Sequence, residues 1–214
     1  MDFSESHGIL LGVALLATGC AAPVASARGG ATPLALAQPD GTTVALEMLW
    51  HGYDATVLVF WSGTCPCARR YQGRIDALLN TYPPERVRII AVSSNAGEAY
   101  GDALKVASQR GMRVPVYRDE NGRVARALGA RSTPTAVVLD ARGDVRYVGW
   151  IDNERLPGED GREPWLDRAI TGILAGNRAF AARSPVYGCP ITRALFVKEP
   201  EPAEATRLCC TGKQ

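Results

Sequence analysis

A strand-like apolar run that leads into a cysteine is the feature that most constrains the fold of this 214-residue chain. The run Thr56–Trp61 is rich in β-branched and aromatic side chains, which is typical of a strand buried on both faces. Cys65 and Pro66 follow, and apolar residues then recur at helical spacing over 71–82. Proline suits the first position of a helix, because the amide hydrogen that it lacks would have no partner there. We therefore predict a strand–loop–helix unit that places Cys65 at a helix start.

Strand-like and helix-like patterns alternate along the rest of the chain. Alternation of this kind implies a parallel sheet, and a Gly143 turn between two strand patterns adds an antiparallel neighbour. We predict an α/β fold in which a central mixed sheet is flanked by helices on both faces. The predicted strands are 44–50, 56–61, 87–92, 114–117, 136–139 and 145–150, and the predicted helices are 66–82, 100–109, 122–128 and 165–174.

The N-terminus has the layout of an export signal. A short apolar run over 9–17 precedes Thr18-Gly19-Cys20, which resembles a bacterial lipoprotein signal in which the cysteine is lipidated. The alternative is an ordinary signal peptide cleaved near Ala22 or Ala27. Either version places the mature protein outside the cytoplasm, in the periplasm or cell envelope, where disulfide chemistry is sustained. Lipidation of Cys20 would also anchor it to a membrane.

Four regions are predicted from composition. Residues 1–20 are the signal, 21–38 a flexible linker rich in small residues, 39–177 the folded domain, and 178–214 an irregular tail that carries three cysteines. The formal charge of +2 is too small for a nucleic-acid surface, so we expect no nucleic-acid partner. Removing Cys20 leaves five of the six cysteines, and an odd number favours a redox enzyme over a disulfide-stapled scaffold.

Cys65 is the candidate nucleophile. Only a thiolate attacks a disulfide or a peroxide, and the unpaired amide groups and positive dipole of a helix start favour that anion. We therefore expect a Cys65 thiolate that solvent and partners can reach. Cys67 is only two residues away, and side chains two apart point about 200° around a helix. Either a strained Cys65–Cys67 disulfide forms or a distant thiol such as Cys189 resolves Cys65; the sequence leaves both open.

Thr133 and Pro134 precede the strand predicted at 136–139. A proline in a tight bend suits this place, a cis bond is plausible, and the loop is expected beside the start of the Cys65 helix. Its main-chain groups would then pair with a bound peptide or peroxide. The sequence predicts no cofactor and no metal site, because copper or zinc held by Cys65 and Cys67 would need further ligands.

These motifs together resemble the thioredoxin fold, and within it the peroxiredoxin-like branch of the redoxin superfamily (the alkyl hydroperoxide reductase/thiol-specific antioxidant group). The resemblance covers residues 46–193 and rests on five segments: Phe60–Pro66, Thr133-Pro134, Ser93–Asn95 with Glu98–Tyr100, Gly149–Asp152 and Tyr187–Ile191. It implies that Cys65 is the nucleophile. Trp61, Thr64, Pro66, Thr133 and Pro134 would form the active-site loops.

The chain departs from the family that it resembles at several positions. Peroxiredoxins would have proline at 58 and threonine at 62, where this chain has Leu58 and Ser62, and Arg131 falls on the wrong side of the bend to polarise a peroxide. Ala68 stands where thioredoxins have their second cysteine. The leading hypothesis is a cell-envelope thiol-disulfide oxidoreductase that acts on protein thiols or disulfides and draws on a thiol electron donor. The alternatives are a thiol peroxidase and a copper carrier that uses Cys65 and Cys67.

Overall fold

The computed structural model describes residues 33–153, 163–177 and 182–192. The predicted signal, Cys20, Cys209 and Cys210 lie outside these residues. The described strands are β1 Ala35–Ala37, β2 Thr43–Ala45, β3 Ala55–Trp61, β4 Val87–Ser93, β5 Val116–Arg118, β6 Ser132–Thr133, β7 Thr135–Asp140, β8 Val145–Gly149, β9 Ala182–Arg183 and β10 Cys189–Pro190. The helices are α1 Glu47–Trp50, α2 Pro66–Thr81, α3 Tyr100–Gln109, α4 Arg123–Leu128 and α5 Trp165–Leu174.

The central sheet is mixed, as predicted. Its strand order is β2-β1-β5-β4-β3-β7-β8-β9. Strand β3 lies in the middle, parallel to β4 and antiparallel to β7, and β4 is parallel to β5. The β7–β8 pair is the predicted antiparallel hairpin. The short strands β6 and β10 form a separate antiparallel pair beside this sheet.

The two faces of β3 carry two separate hydrophobic cores, which explains why this strand is apolar throughout. Val57 and Val59 face a core built with α2, α3 and α5, whereas Leu58 and Phe60 face a core built with α1 and α4. All seven residues of β3 are buried. The prediction of helices on both faces is therefore confirmed.

Local structure differs from expectation in three places. The predicted strand 44–50 is a short strand followed by helix α1, which turns Leu49 and Trp50 into the core; a run this short does not distinguish the two periods. Strand β1 falls inside the predicted linker, because Leu36 fills a fully buried site. Strands β9 and β10 fall inside the predicted irregular tail.

No helix of the described residues is both long and apolar enough to span a bilayer.

Candidate active site

Strand β3 delivers Cys65 to the start of helix α2, as the sequence predicts. Cys65 is the N-cap residue of α2 in an extended conformation, and Pro66 is the first helical residue. The backbone amide of Ala68 donates a hydrogen bond to Cys65 Sγ over 3.4 Å. An N-cap side chain normally accepts such a bond through oxygen, so here sulfur takes the place of the capping oxygen.

The loop before β7 lies against this sulfur. The Thr133–Pro134 peptide bond is cis, and both residues are buried. The Cys65 thiol donates to the main-chain oxygen of Thr133 over 3.1 Å, although the two residues are 68 positions apart. The structure thus brings together the two motifs that the sequence singled out.

Cys189 is the nearest sulfur to Cys65 that the structure records. The two Sγ atoms are 2.6 Å apart, and both residues carry thiols. The sulfurs of Cys65, Cys67 and Cys189 lie within 4.8 Å of one another. Cys67 is a buried residue in the first turn of α2 and is disulfide-bonded, but to neither of these two thiols. Of the two pairings that the sequence left open, the geometry favours Cys65 with Cys189.

The expectation that solvent reaches Cys65 is wrong for this conformation. Cys65 is only 2% exposed. The segment 184–192, which we call the strap, contributes to this cover, because it brings Cys189 Sγ to 2.6 Å from Cys65 Sγ. Sequence reasoning could not foresee it, since a strand of two residues in a proline-containing tail has no periodic signature.

The strap is held at its start by the edge of the main sheet. Ser184 Oγ accepts a hydrogen bond from the backbone amide of Trp150 over 2.8 Å and hydrogen-bonds with the hydroxyl of Tyr147 over 2.9 Å. The Tyr187 ring packs edge-on against Trp150, with ring centroids 5.1 Å apart. This arrangement gives a role to the Gly149–Asp152 segment noted in the sequence: it supports the strap.

The far end of the strap is held by two loops. Cys189 and Pro190 pair with Thr133 and Ser132 as an antiparallel ladder. The backbone amide of Thr192 donates to Asn95 Oδ1 over 3.0 Å, and the main-chain oxygen of Thr192 accepts from the amide of Ala96. The loop after β4 therefore serves as an anchor for the strap.

A buried clamp fixes the loop before Cys65. The amide of Gly63 donates to Glu98 Oε1 over 2.7 Å, and Arg110 donates to the main-chain oxygen of Gly63 over 2.8 Å. A Cβ at position 63 would lie 2.9 Å from Glu98 Oε1 and 3.0 Å from Val106, so any other residue would push the Glu98 carboxylate out of its place in the clamp. Sequence reasoning noted Glu98 but missed Arg110, because these contacts span 35 and 47 residues.

The other predicted site residues differ in their burial. Trp61 is fully buried in the core beneath the cysteines, where it packs rather than faces a partner. Thr64 and Pro66 are exposed, and Thr64 hydrogen-bonds through its hydroxyl with Ser62 over 3.0 Å. Arg131 is exposed and offers its main-chain oxygen to the amide of Ile191.

A partly buried ion pair between Arg74 and Asp152 lies beneath the strap. Asp152 is fully buried, and its carboxylate accepts from Arg74 over 2.8 and 2.9 Å and from the hydroxyl of Tyr71 over 3.0 Å. The Tyr71 ring packs against Trp150, which in turn packs against Tyr187. The pair therefore positions the aromatic support of the strap.

Alkaline pH is expected to weaken the fold through Tyr147. Burial, opposed by the hydrogen bond with Ser184, raises the pKa of Tyr147 from 10.0 to about 12. Between these values the unfolded chain loses a proton that the folded chain keeps, so stability falls as pH rises from 10 to 12. Urea unfolding across this range measures the slope, and Tyr147→Phe is expected to reduce it. An equal slope in the variant would contradict the assignment.

The chain is similar to a known family and to known proteins. Residues 27–148 match the model of the AhpC/TSA family, which is more than half of the chain. The chain is 28% identical over 124 residues to a thiol-disulfide oxidoreductase ResA from Halalkalibacterium halodurans, a match that covers 57% of this chain and 68% of that protein.

Solved structures show the same fold. An uncharacterized conserved protein from Geobacillus kaustophilus superposes with a TM-score of 0.67 and 28% identity, covering 82% of this chain and 94% of that one. A thioredoxin-like protein from Aeropyrum pernix superposes with a TM-score of 0.50 and 20% identity, covering 65% and 89%. The fold is therefore thioredoxin-like, and the chain belongs to the AhpC/TSA family.

Proposed function

We propose that this protein is a thiol-disulfide oxidoreductase in which Cys65 is the nucleophile and Cys189 the resolving thiol. The observation that carries the proposal is the 2.6 Å separation of the two sulfurs beside the main-chain oxygen of Thr133. The similarity to a ResA thiol-disulfide oxidoreductase supports the same reaction class.

The reaction balances in two exchange steps. The Cys65 thiolate attacks one sulfur of a substrate disulfide, which forms a mixed disulfide and releases one substrate thiolate. Cys189, as thiolate, then attacks Cys65 Sγ and releases the second substrate thiolate, which leaves a Cys65–Cys189 disulfide. The substrate gains two electrons and the protein loses two. A low-molecular-weight or protein dithiol returns them by the reverse exchange.

The proposed resolving role is tested by trapping. With Cys189→Ser, the mixed disulfide at Cys65 has no resolving thiol, so we expect it to accumulate when the reduced protein meets a disulfide substrate such as insulin. Mass spectrometry of linked peptides locates the bond. In the wild type the expected product is the Cys65–Cys189 link.

Cys67→Ser is the matched control for this experiment. It breaks the disulfide that Cys67 forms but leaves Cys65 and Cys189 in place, and we expect it to resolve the mixed disulfide as the wild type does. Accumulation in Cys67→Ser but not in Cys189→Ser would assign resolution to Cys67. If the protein consumes hydrogen peroxide but does not reduce insulin, its substrate is a peroxide rather than a disulfide. Cys65 then passes through a sulfenic acid.

We also propose that the protein is exported and lipid-anchored through Cys20. The support is the apolar run over 9–17 before Thr18-Gly19-Cys20. Incorporation of a labelled fatty acid that is lost in Cys20→Ser tests the anchor, and its absence from the wild type would contradict it.

A further inference from the structure

The strap lies in the candidate site as an extended peptide would. Its Cys189–Pro190 strand pairs with Ser132 and Thr133 at the loop beside Cys65, and it presents a sulfur to Cys65 Sγ. We propose that the strap is a built-in substrate mimic: substrate proteins bind the same groove as an extended segment, displace the strap, and are selected by the sequence that the groove accepts. This proposal rests on the proposed thiol-disulfide activity and adds to it the class of substrate.

Position 188, which precedes Cys189 in the strap, accepts only glycine. Gly188 is buried against the neighbouring loop, and a Cβ there would lie 2.1 Å from the main-chain oxygen of Thr133 and 2.8 Å from its carbonyl carbon. Contacts under 3.0 Å with backbone cannot be relieved by moving a side chain, so the strand would have to lift away. A substrate in the same register faces the same oxygen.

The positions after the cysteine differ in what they accept. Pro190 is exposed, so this position places no demand on the side chain. Ile191 is only 7% exposed and packs in the core on the α4 face of the sheet, while its amide donates to the main-chain oxygen of Arg131 over 2.9 Å. The groove therefore selects a Gly-Cys-x-apolar segment. The main-chain hydrogen bonds at Arg131, Thr133 and Asn95 would supply affinity without further sequence preference.

Because the strap occupies the groove, the strap and a substrate segment compete for the same binding site. Cys65 is 2% exposed while the strap is bound, so an external disulfide reacts only with the fraction of molecules in which the strap has lifted. Any change that weakens strap binding without touching Cys65 is then expected to accelerate its reaction with external disulfides.

The test uses the full-length chain with Cys189→Ser, so that adducts at Cys65 persist. Gly188→Ala is added to lift the strap, and Gly101→Ala is the matched control, because a Cβ at 101 meets nothing within 4 Å. Three probes are activated as thionitrobenzoate disulfides: the peptide Val-Tyr-Gly-Cys-Pro-Ile-Thr, the same peptide with Gly and Ile exchanged, and dithiobis(nitrobenzoate) itself. Release of thionitrobenzoate measures the rate of disulfide exchange. Mass spectrometry of the quenched samples then gives the part of this rate that comes from adducts at Cys65.

We expect Gly188→Ala to raise the rate at Cys65 about tenfold or more with all three probes, and Gly101→Ala to leave it unchanged. We expect the native-order peptide to react about tenfold faster than the exchanged peptide in the Gly188→Ala protein. Ile191→Ser, which weakens the strap by exposing a polar group to the apolar site, is a second variant expected to act in the same direction. Circular dichroism confirms that each variant is folded.

Two results would overturn the proposal and can be told apart. If Cys65 reacts with the small disulfide but both strap variants match the control and both peptides react equally, the strap is no substrate mimic and the oxidoreductase stands. If Cys65 forms no adduct with any probe in any variant, the proposed function falls as well.

Discussion

Replacement of Cys65 by serine is expected to lower the rate of disulfide reduction by about three orders of magnitude or more. A serine hydroxyl stays protonated at neutral pH and cannot form the mixed disulfide, so no step of the exchange remains. The capping interaction is retained, because serine also accepts a hydrogen bond from the amide of Ala68. The loss would therefore reflect chemistry rather than unfolding. Insulin reduction with a dithiol donor provides the measurement.

Cys67→Ser separates the nucleophile from its neighbour. It removes a disulfide-bonded sulfur within 4.8 Å of Cys65 and leaves Cys65, Cys189 and the Thr133 loop in place. We expect it to retain most of the activity. Activity that survives Cys65→Ser but not Cys67→Ser would move the nucleophile to position 67.

Replacement of Arg74 by methionine is expected to reduce the free energy of unfolding by about 3 kcal/mol, the lower end of the range for breaking a buried ion pair. The carboxylate of Asp152 is fully buried and would lose the guanidinium that faces it. Arg74 itself is 23% exposed, which tempers the loss. Urea unfolding at neutral pH measures the change.

Arg86→Met is the matched control. Arg86 pairs with Asp54, but both side chains are about half exposed, at 50% and 48%. A pair of this kind contributes about 0–1 kcal/mol, so the control is expected to change stability little. The double variant Arg74→Met with Asp152→Leu is expected to recover part of the loss, because it also removes the buried carboxylate whose charge Arg74 offsets. Equal losses at positions 74 and 86 would contradict a structural role for Asp152.

The long elements were predictable from the sequence because their signals are local. Helices α3 and α5 have the predicted bounds, β3, β4 and β8 differ from prediction by one residue at one end, and β7 differs by one residue at each end. Each is long enough to show its period and is bounded by glycine, proline or polar turns. The short elements were not predictable: α1 has four residues and β10 has two, and side chains from distant parts of the chain decide their conformation.

The candidate site divides in the same way. The sequence by itself determined that Cys65 follows a buried strand and begins a helix, because strand pattern, Pro66 and helical spacing are all written in neighbouring residues. Only the tertiary structure decided that Cys189, 124 positions away, lies against that sulfur and that the strap covers it. These contacts form because the sheet edge at Tyr147 and the loops at Asn95 and Thr133 lie close enough together to bind the strap at the same time. No local sequence pattern encodes this arrangement, because the packing of the whole domain brings the sheet edge and the two loops together.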